Sequence, residues 1–201
     1  MTEAQPAARA FVGLGSNLDD PAAQIARALG ELDSIPATRL LQRSSLYRSA
    51  PWGMLDQPAF VNAVAELETR LSPRTLLQAL LSIEQVHGRE RGGERWGPRT
   101  LDLDLLAYAD LCSDEPGLVI PHPRLAQRAF VLMPLAEIAA DFVVAGVGRV
   151  RELLSRVEHG GCGSSSTGSV LISSPYRIRS MSSVRGPQRT VRLRPCPVSI
   201  R

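Results

Sequence analysis

The sequence predicts one α+β domain, an antiparallel sheet with helices packed on its faces, followed by a tail of different composition. Segments of strand-forming residues alternate with amphipathic segments in the order strand, helix, strand, strand, helix, strand. That order resembles the split βαβ arrangement of ferredoxin-like domains. A chain of 201 residues is long enough to bury a sizeable core without disulfides.

The first strand and helix are bounded by clear signals. Residues 10–14 form an apolar run, and residues 15–17 have the composition of a turn. Asp20 followed by Pro21 is typical of a helix N-cap and the first helical position. The spacing of apolar residues predicts a helix over residues 21–33 with one buried stripe. The stripe consists of Ile25, Leu29 and Leu32.

The second unit is predicted by the same kinds of pattern. Residues 38–47 are rich in strand formers, and residues 60–68 suit a strand covered on one face. Ser72 and Pro73 begin a second helix, which ends near Gly88. Its apolar stripe is Leu76, Leu80 and Ile83.

The remaining segments are shorter. Charged residues and glycines predict a mobile loop over residues 89–97, and residues 101–108 return to strand character. Pro-His-Pro at 121–123 predicts a rigid extended turn. Residues 130–138 and 150–157 supply the last core segments, the second of them helical.

The positive net charge belongs to the tail alone. The chain carries +3 and contains no lysine, so all 23 basic residues are arginines. Residues 1–159 hold 16 arginines and all 20 acidic residues, whereas residues 160–201 hold seven arginines and no acidic residue. We therefore expect a mildly acidic domain over 1–159 and a basic, Ser/Arg-rich tail over 160–201 that is disordered or unrelated to the domain.

Cysteine usage and hydropathy indicate a cytoplasmic protein. The odd cysteine count and the lack of a C-x-x-C pair argue against a disulfide framework or a zinc site, and favour incidental or buried thiols. The cysteines are Cys112, Cys162 and Cys196. The N-terminus lacks the features of a secretory signal, and no apolar run approaches the roughly 20 residues that span a bilayer.

Asp102 and Asp104 are the sharpest chemical signal. On a strand, residues two apart share a face, so both carboxylates point one way and the flanking leucines point into the core. Two carboxylates a few ångströms apart repel each other unless a cation lies between them, and Mg²⁺ prefers such oxygen ligands. An ordinary exposed strand face, with acids out and leucines in, would show the same pattern.

The residues before this pair favour the magnesium interpretation. The loop there is rich in arginine and glycine, and phosphoryl transfer depends on positioning and charge stabilisation by metal and guanidinium. Its arginines are Arg89, Arg91, Arg95 and Arg99, with Trp96 among them. A solvated charged turn is the simpler alternative for the loop taken alone.

The other polar signals are weaker. Gly-Leu-Gly-Ser-Asn at 13–17 fits neither glycine-rich phosphate motif, so it suits a structural turn. His122 between prolines suits an exposed histidine, or a phosphate contact. His87 suits a helix C-terminal interaction. Asn62, inside an apolar strand, suits either a satisfied core amide or a contact to the edge of a heterocycle.

Five segments in order resemble the 6-hydroxymethyl-7,8-dihydropterin pyrophosphokinase family of folate biosynthesis. They are residues 13–17, 47–53, 57–62, 95–104 and 121–130. Arg-Trp-Gly-Pro-Arg-Thr-Leu-Asp-Leu-Asp at 95–104 is the most specific of them. The resemblance covers about residues 10–157 and implies a monomeric ferredoxin-like domain that transfers pyrophosphate from ATP to the pterin hydroxymethyl group, releasing AMP.

The resemblance also implies residue roles. Asp102 and Asp104 would bind two Mg²⁺ ions, with Arg89 and Arg99 stabilising charge on the transferring group. The residues expected at ATP are Glu84, Arg91, Trp96, Leu105, His122 and Arg128. The residues expected at the pterin are Ser49, Ala50, Pro51, Trp52, Phe60, Asn62, Trp96 and Phe130. From the residues alone, Phe60, Trp52 and Phe130 suit core positions as well as stacking.

Two rival functions use parts of the same evidence. A two-metal phosphohydrolase would use the aspartate pair but attack with water. A nucleic-acid-binding protein would act through the basic tail and would leave the aspartate pair without a role. We expect neither nucleic acid nor a membrane as a partner of the domain.

Overall fold

Two long central strands form the middle of the sheet. The computed structural model describes residues 6–51, 56–88, 97–159 and the short strand 193–194. Strand β1 (Ala8–Ser16) pairs antiparallel with β4 (Phe60–Thr69), from Ala8 opposite Thr69 to Ser16 opposite Val61. This pairing brings the first strand beside a strand more than forty residues later, and places the carboxyl end of β1 beside the start of β4.

The outer strands complete an antiparallel sheet of ferredoxin-like order. Strand β5 (Asp102–Tyr108) pairs with the free edge of β1, and β2 (Thr38–Arg43) and β3 (Leu46–Ser49) share the far edge of β4. This confirms the predicted fold class. Smaller hairpins follow along the chain: β6 (Ser113–Glu115) with β7 (Leu118–Ile120), and β8 (Val143–Val144) with β9 (Gly148–Arg149).

One face of the sheet is covered by helices α1 (Pro21–Asp33) and α2 (Pro73–Val86). Their N-caps form as predicted: Asp20 accepts from the Ala23 N–H at 3.3 Å, and Ser72 accepts from the Thr75 N–H at 3.2 Å. The predicted apolar stripes pack here against inward side chains of the sheet. The core residues include Val12, Leu14, Ile25, Leu32, Leu67, Leu76, Leu80, Leu101 and Leu103.

The opposite face is covered by α3 (Ala129–Ala139) and α4 (Val150–His159). A 3-10 turn, Leu125–Gln127, precedes α3. Because this second layer exists, β4 is buried on both faces, and the prediction of a strand covered on one face is wrong. The second core contains Phe11, Val64, Leu106, Leu132, Leu135, Val150 and Leu153.

Two further local predictions need correction. The expected strand over 38–47 is broken between Arg43 and Leu46, where the hydroxyl of Ser44 accepts the Val64 N–H at 2.9 Å. Strand β1 runs on to Ser16, so 15–16 are strand and not turn. The thiol of Cys112 is free and exposed, which fits the incidental alternative and not the buried one, while Cys162 and Cys196 lie outside the described residues.

The tail is described at one point only. Strand β10 (Leu193–Arg194) pairs parallel with β3, Leu193 opposite Leu46. The rest of the predicted tail, 160–192 and 195–201, lies outside the described residues. Within the described part of the chain, no helix is long and apolar enough to cross a membrane.

Candidate active site

Three strands place an amide and a carboxylate side by side above a glycine. In the sheet register, Gly15 of β1 lies opposite Asn62 of β4 on one side and Asp102 of β5 on the other. Gly15 has no side chain, and a Cβ built on it would lie 3.5 Å from Asn62 Oδ1 and 4.0 Å from Asp102 Cβ. Asn62 and Asp102 therefore face into one common space.

A second glycine, Gly13 of β1, lies opposite Asp104, and a Cβ built on it would lie 3.3 Å from the side chain of Leu106. Both glycines and both aspartates line one space. The result is a cavity of about 100 Å³ over the centre of the sheet. Its walls include Gly13, Gly15, Ser49, Ala50, Phe60, Asn62, Gly97, Arg99, Asp102, Asp104, Leu106, Arg128 and Phe130.

The aspartate pair points away from the core, as predicted. Leu101, Leu103 and Leu105 lie in the core beneath α1 and α2, so Asp102 and Asp104 face the other side. The carboxylate of Asp102 accepts from the guanidinium of Arg99 at 2.6 Å. Both side chains are only partly exposed, so water screens this ion pair less than it screens a surface pair.

Asp104 lies among longer-range charges. Its Oδ2 is 3.7 Å from the guanidinium of Arg128 and 3.8 Å from Nε2 of His122. Burial and the neighbouring Asp102 raise the pKa of Asp104, and the nearby His122, Arg128 and Arg99 oppose that rise without cancelling it. A raised pKa means that the ionised carboxylate is disfavoured, and a cation beside it would stabilise that ionised form.

His122 is placed by an irregularity in β5. The pairing with β1 skips Leu106, and the carbonyl of Leu106 accepts the backbone N–H of His122 at 2.9 Å. The imidazole Nδ1 accepts the N–H of Arg124 at 3.1 Å, so in the neutral ring Nε2 carries the proton toward Asp104. Burial lowers the pKa of His122. The ring is largely buried, and the expected exposed position is wrong.

A second cavity of about 410 Å³ opens on the α2 side of β5. Asp104 lines both cavities and so lies where they meet. Glu84 is almost fully buried at this second cavity, and its carboxylate accepts the Leu103 N–H at 2.7 Å. The other walls include Leu77, Leu81, Leu105, Leu118, Ile120 and His122.

The first cavity has a polar wall and an aromatic wall. The buried Asn62 donates through Nδ2 to the hydroxyl of Ser49 at 2.9 Å, which orients the amide. Phe60 and Phe130 come from β4 and α3 to line the same cavity. The guanidinium carbon of Arg128 lies 5.6 Å from the centre of the Phe130 ring, a cation–π contact that joins the aromatic wall to the charged one.

Most of the predicted site residues come together. Cavity one contains Ser49, Ala50, Phe60, Asn62, Arg99, Asp102, Asp104, Arg128 and Phe130. Cavity two contains Glu84, Asp104, Leu105 and His122. Pro51 is half-buried and lines neither. The predictions for Trp52, Arg89, Arg91 and Trp96, and for the loop that carries the last three, fall outside the described residues.

Sequence reasoning missed three positions. It treated 13–17 as a turn, yet Gly13 and Gly15 form the floor of the cavity. Two glycines at i and i+2 in a predicted strand share a face, and that pattern could have identified them. It also missed Asn17, whose contacts depend on segments 40 and 82 residues away. His87, expected as a helix-end residue, caps α2 and its ring contacts Glu31 at 2.7 Å.

The donor set suits a hard divalent cation. Mg²⁺ usually binds through one or two carboxylates, with water and substrate phosphates completing its shell. Asp102 and Asp104 supply two carboxylates on one face, and burial together with the neighbouring Asp102 raises the pKa of Asp104. Among the residues that the structure describes, no group of three or more His, Cys, Asp or Glu side chains forms a metal cage.

A carboxylate pair, an arginine beside it and two cavities that meet at one aspartate form the kind of site that metal-dependent phosphoryl transfer uses. Comparison with known proteins agrees. Residues 11–140 match the family described as "7,8-dihydro-6-hydroxymethylpterin-pyrophosphokinase (HPPK)". The chain belongs to this pyrophosphokinase family.

Two similar proteins carry the same name. A protein of Methylorubrum extorquens is 47% identical over 153 residues, which cover 76% of this chain and 96% of that one. A protein of Pseudomonas aeruginosa is 49% identical over 147 residues, which cover 73% and 90%. Both are named 2-amino-4-hydroxy-6-hydroxymethyldihydropteridine pyrophosphokinase.

The fold also matches a solved structure. Plasmodium falciparum HPPK-DHPS, crystallised with pterin and p-hydroxybenzoate, superposes with a TM-score of 0.60 at 15% identity. The match covers 77% of this chain and 44% of that longer chain, so it concerns the fold of one part of it.

Proposed function

We propose that this chain transfers the pyrophosphate group of ATP to the hydroxymethyl group of 6-hydroxymethyl-7,8-dihydropterin and releases AMP, a step of folate biosynthesis. Relatives between 44% and 53% identical are named for the pyrophosphokinase of this substrate. The row Asn62, Gly15 and Asp102 is the observation that carries the proposal. It puts an amide suited to a heterocycle edge beside a carboxylate suited to a metal and a hydroxyl.

Asp102 and Asp104 are the proposed ligands of two Mg²⁺ ions. When bound, the ions supply positive charge to the phosphate oxygens on both the entering and the leaving side of the transfer. The chain's own part is to hold the two carboxylates on one strand face, where their spacing is set by β5.

The triphosphate lies where the two cavities meet. Arg128 and His122 are within 4 Å of Asp104, so they can bind phosphate oxygens that also approach this aspartate. Arg99, which forms an ion pair with Asp102, stabilises charge on the transferring group. The nucleoside occupies the second cavity beside Glu84 and Leu105. The roles of Arg89, Arg91 and Trp96 remain predictions from the sequence.

The pterin lies in the first cavity. Phe60 and Phe130 stack on its two faces, and Asn62 with the backbone at Ser49 and Ala50 binds its polar edge. Asp102 orients the hydroxyl. That oxygen bonds to the β-phosphorus while the bond from β-phosphorus to the α-phosphate oxygen breaks, so AMP leaves and the hydroxyl proton is released. A loose transition state needs little help from a general base.

One experiment separates this function from its rivals. Purified protein is incubated with ATP and Mg²⁺, with and without the hydroxymethyl pterin, and the nucleotide products are followed. The proposal requires AMP and pterin diphosphate in equal amounts, and only when pterin is present. Phosphate release that does not depend on pterin would favour a two-metal phosphohydrolase instead.

The tail is tested with the same assay. We propose that the domain over 1–159 is a cytoplasmic monomer that acts without residues 160–201. The 1–159 chain should therefore retain turnover. If the shortened chain loses turnover, or if binding of nucleic acid is lost together with the tail, the tail has a role that the domain lacks.

A further inference from the structure

Asn17 lies directly after β1 and is buried, with 2% of its surface exposed. Its backbone N–H donates to the carbonyl of Arg99 at 3.0 Å, and its side-chain Oδ1 accepts the N–H of Arg99 at 2.7 Å. Both backbone polar groups of Arg99 are therefore held by one residue. The backbone of Arg99 is therefore fixed at the point from which its side chain reaches Asp102.

The other end of the same amide contacts a different loop. Nδ2 of Asn17 donates to the carbonyl of Pro58 at 3.1 Å and to Oε1 of Gln57 at 3.0 Å. These residues come just before Phe60, the first residue of β4 and part of the aromatic wall. Asn17 thus links the backbone of Arg99, in the charged wall of the cavity, to the segment that leads to Phe60 in the aromatic wall.

Only an amide satisfies both sides at this length. Asparagine carries one acceptor oxygen and two donor hydrogens on a short side chain, and each is used here. Aspartate would keep the acceptor and lose the donors, and alanine would lose both. We call the Nδ2 hydrogen bonds the donor arm of Asn17 and the Oδ1 hydrogen bond its acceptor arm. Because aspartate removes the donor arm alone and alanine removes both arms, comparing the two variants separates the effects of the arms.

We infer that Asn17 is a positioning residue that sets the spacing between the pterin side and the phosphate side of the site. This inference rests on the proposed function. Its donor arm holds the segment that leads to Phe60, and so governs pterin binding. Its acceptor arm holds Arg99 against Asp102, and so governs the transfer step. The contrasting interpretation is a buried amide that only stabilises the fold.

The test compares Asn17→Asp with Asn17→Ala in the full chain. Asn17→Asp loses both hydrogen bonds that Nδ2 donates, each worth about 1 kcal/mol, so it should raise the KM for pterin by roughly fivefold to thirtyfold, with kcat within about threefold of wild type. Asn17→Ala should raise the KM similarly and also lower kcat by about tenfold or more. The affinity for an ATP analogue alone should stay near wild type in Asn17→Asp.

Two further variants keep the test decisive. Gln57→Ala removes one acceptor of the donor arm without touching Asn17, and should raise the pterin KM by a smaller factor. Ser44→Ala removes a buried hydroxyl bonded to the Val64 N–H outside both cavities, and serves as a matched stability control. It should lower the melting temperature and leave both kinetic constants unchanged.

The outcomes are distinguishable. Wild-type chain that makes no pterin diphosphate overturns the proposed function itself. The positioning role is overturned if the wild type is active and both Asn17→Asp and Asn17→Ala differ from it only in melting temperature, as Ser44→Ala is expected to. An Asn17→Asp that loses kcat while keeping its pterin KM also overturns it, because the two arms would then have the wrong assignments.

Discussion

The carboxylate of Glu84 accepts the backbone N–H of Leu103 at 2.7 Å, between the two aspartates of β5. This bond ties helix α2 to the strand that carries the site. It is formed by a side chain with 1% of its surface exposed, so no water can replace it readily. The placement of Asp102 and Asp104 therefore depends on a residue on the opposite face of the sheet.

Replacing Glu84 tests that dependence. Glu84→Ala leaves the Leu103 N–H without its acceptor, which costs about 1–3 kcal/mol and lowers the melting temperature by roughly 2–4 °C per kcal/mol. Glu84→Gln keeps an acceptor oxygen and should melt closer to wild type. Thermal unfolding measured by circular dichroism compares the two. Equal melting temperatures for both variants would contradict the structural role.

Asp104 should be essential for turnover and dispensable for folding. Asp104→Ala removes a proposed metal ligand where the cavities meet, so Mg²⁺-dependent turnover should fall by roughly two orders of magnitude or more. The metal-free variant should melt at the same temperature or higher, because burial and Asp102 raise the pKa of this carboxyl and make its charge unfavourable. Near-normal turnover would refute the metal role.

Arg99 should compete with metal for Asp102. Its guanidinium lies 2.6 Å from the carboxylate, so Arg99→Ala removes a cation from the proposed site. Mn²⁺ binding without nucleotide, followed by electron paramagnetic resonance, should become tighter by a few-fold, while turnover falls because the transferring group loses its guanidinium. Arg99→Lys is the charge-matched control, and weaker Mn²⁺ binding by Arg99→Ala would argue against the competition.

Phe130 should contribute to pterin binding through stacking. A stacked base is worth about 1–3 kcal/mol, so Phe130→Ala should weaken pterin binding by roughly fivefold to 150-fold. Phe142 packs on Phe11 at 4.6 Å between ring centres and lines neither cavity, so Phe142→Leu is the matched control. Fluorescence titration with pterin measures both. The prediction fails if the two variants bind pterin equally well.

Tyr108 should make stability sensitive to alkaline pH. Its hydroxyl donates to the carbonyl of Leu71 at 2.6 Å, and burial raises the pKa of the phenol above its ordinary value of 10.0. A raised pKa in the folded state means that this contribution is complete below pH about 10 and is lost as the pH rises through the folded pKa. Phenylalanine at this position removes the titration.

Urea unfolding of wild type and Tyr108→Phe at several pH values checks this expectation. At pH 8 the wild type should be more stable by about 1 kcal/mol, the usual net value of one hydrogen bond. The difference should shrink above pH 10. A difference that stays constant across this range would show that the hydroxyl does not titrate as proposed.

Local features of the site and fold follow from the sequence. Helix caps at Asp20 and Ser72 and the face shared by Asp102 and Asp104 were all predicted, because capping and side-chain alternation depend on a few consecutive residues. The family resemblance added the grouping of Phe60, Asn62 and Phe130.

Only the tertiary structure decided which distant residues meet. Gly15 lies between Asn62 and Asp102 because of the register of three strands, and His122 is held by the carbonyl of Leu106 because that register skips a residue. Asn17 meets Arg99 across 82 positions of sequence. Strand pairing and packing of distant segments set these contacts, and no local pattern along the chain encodes them.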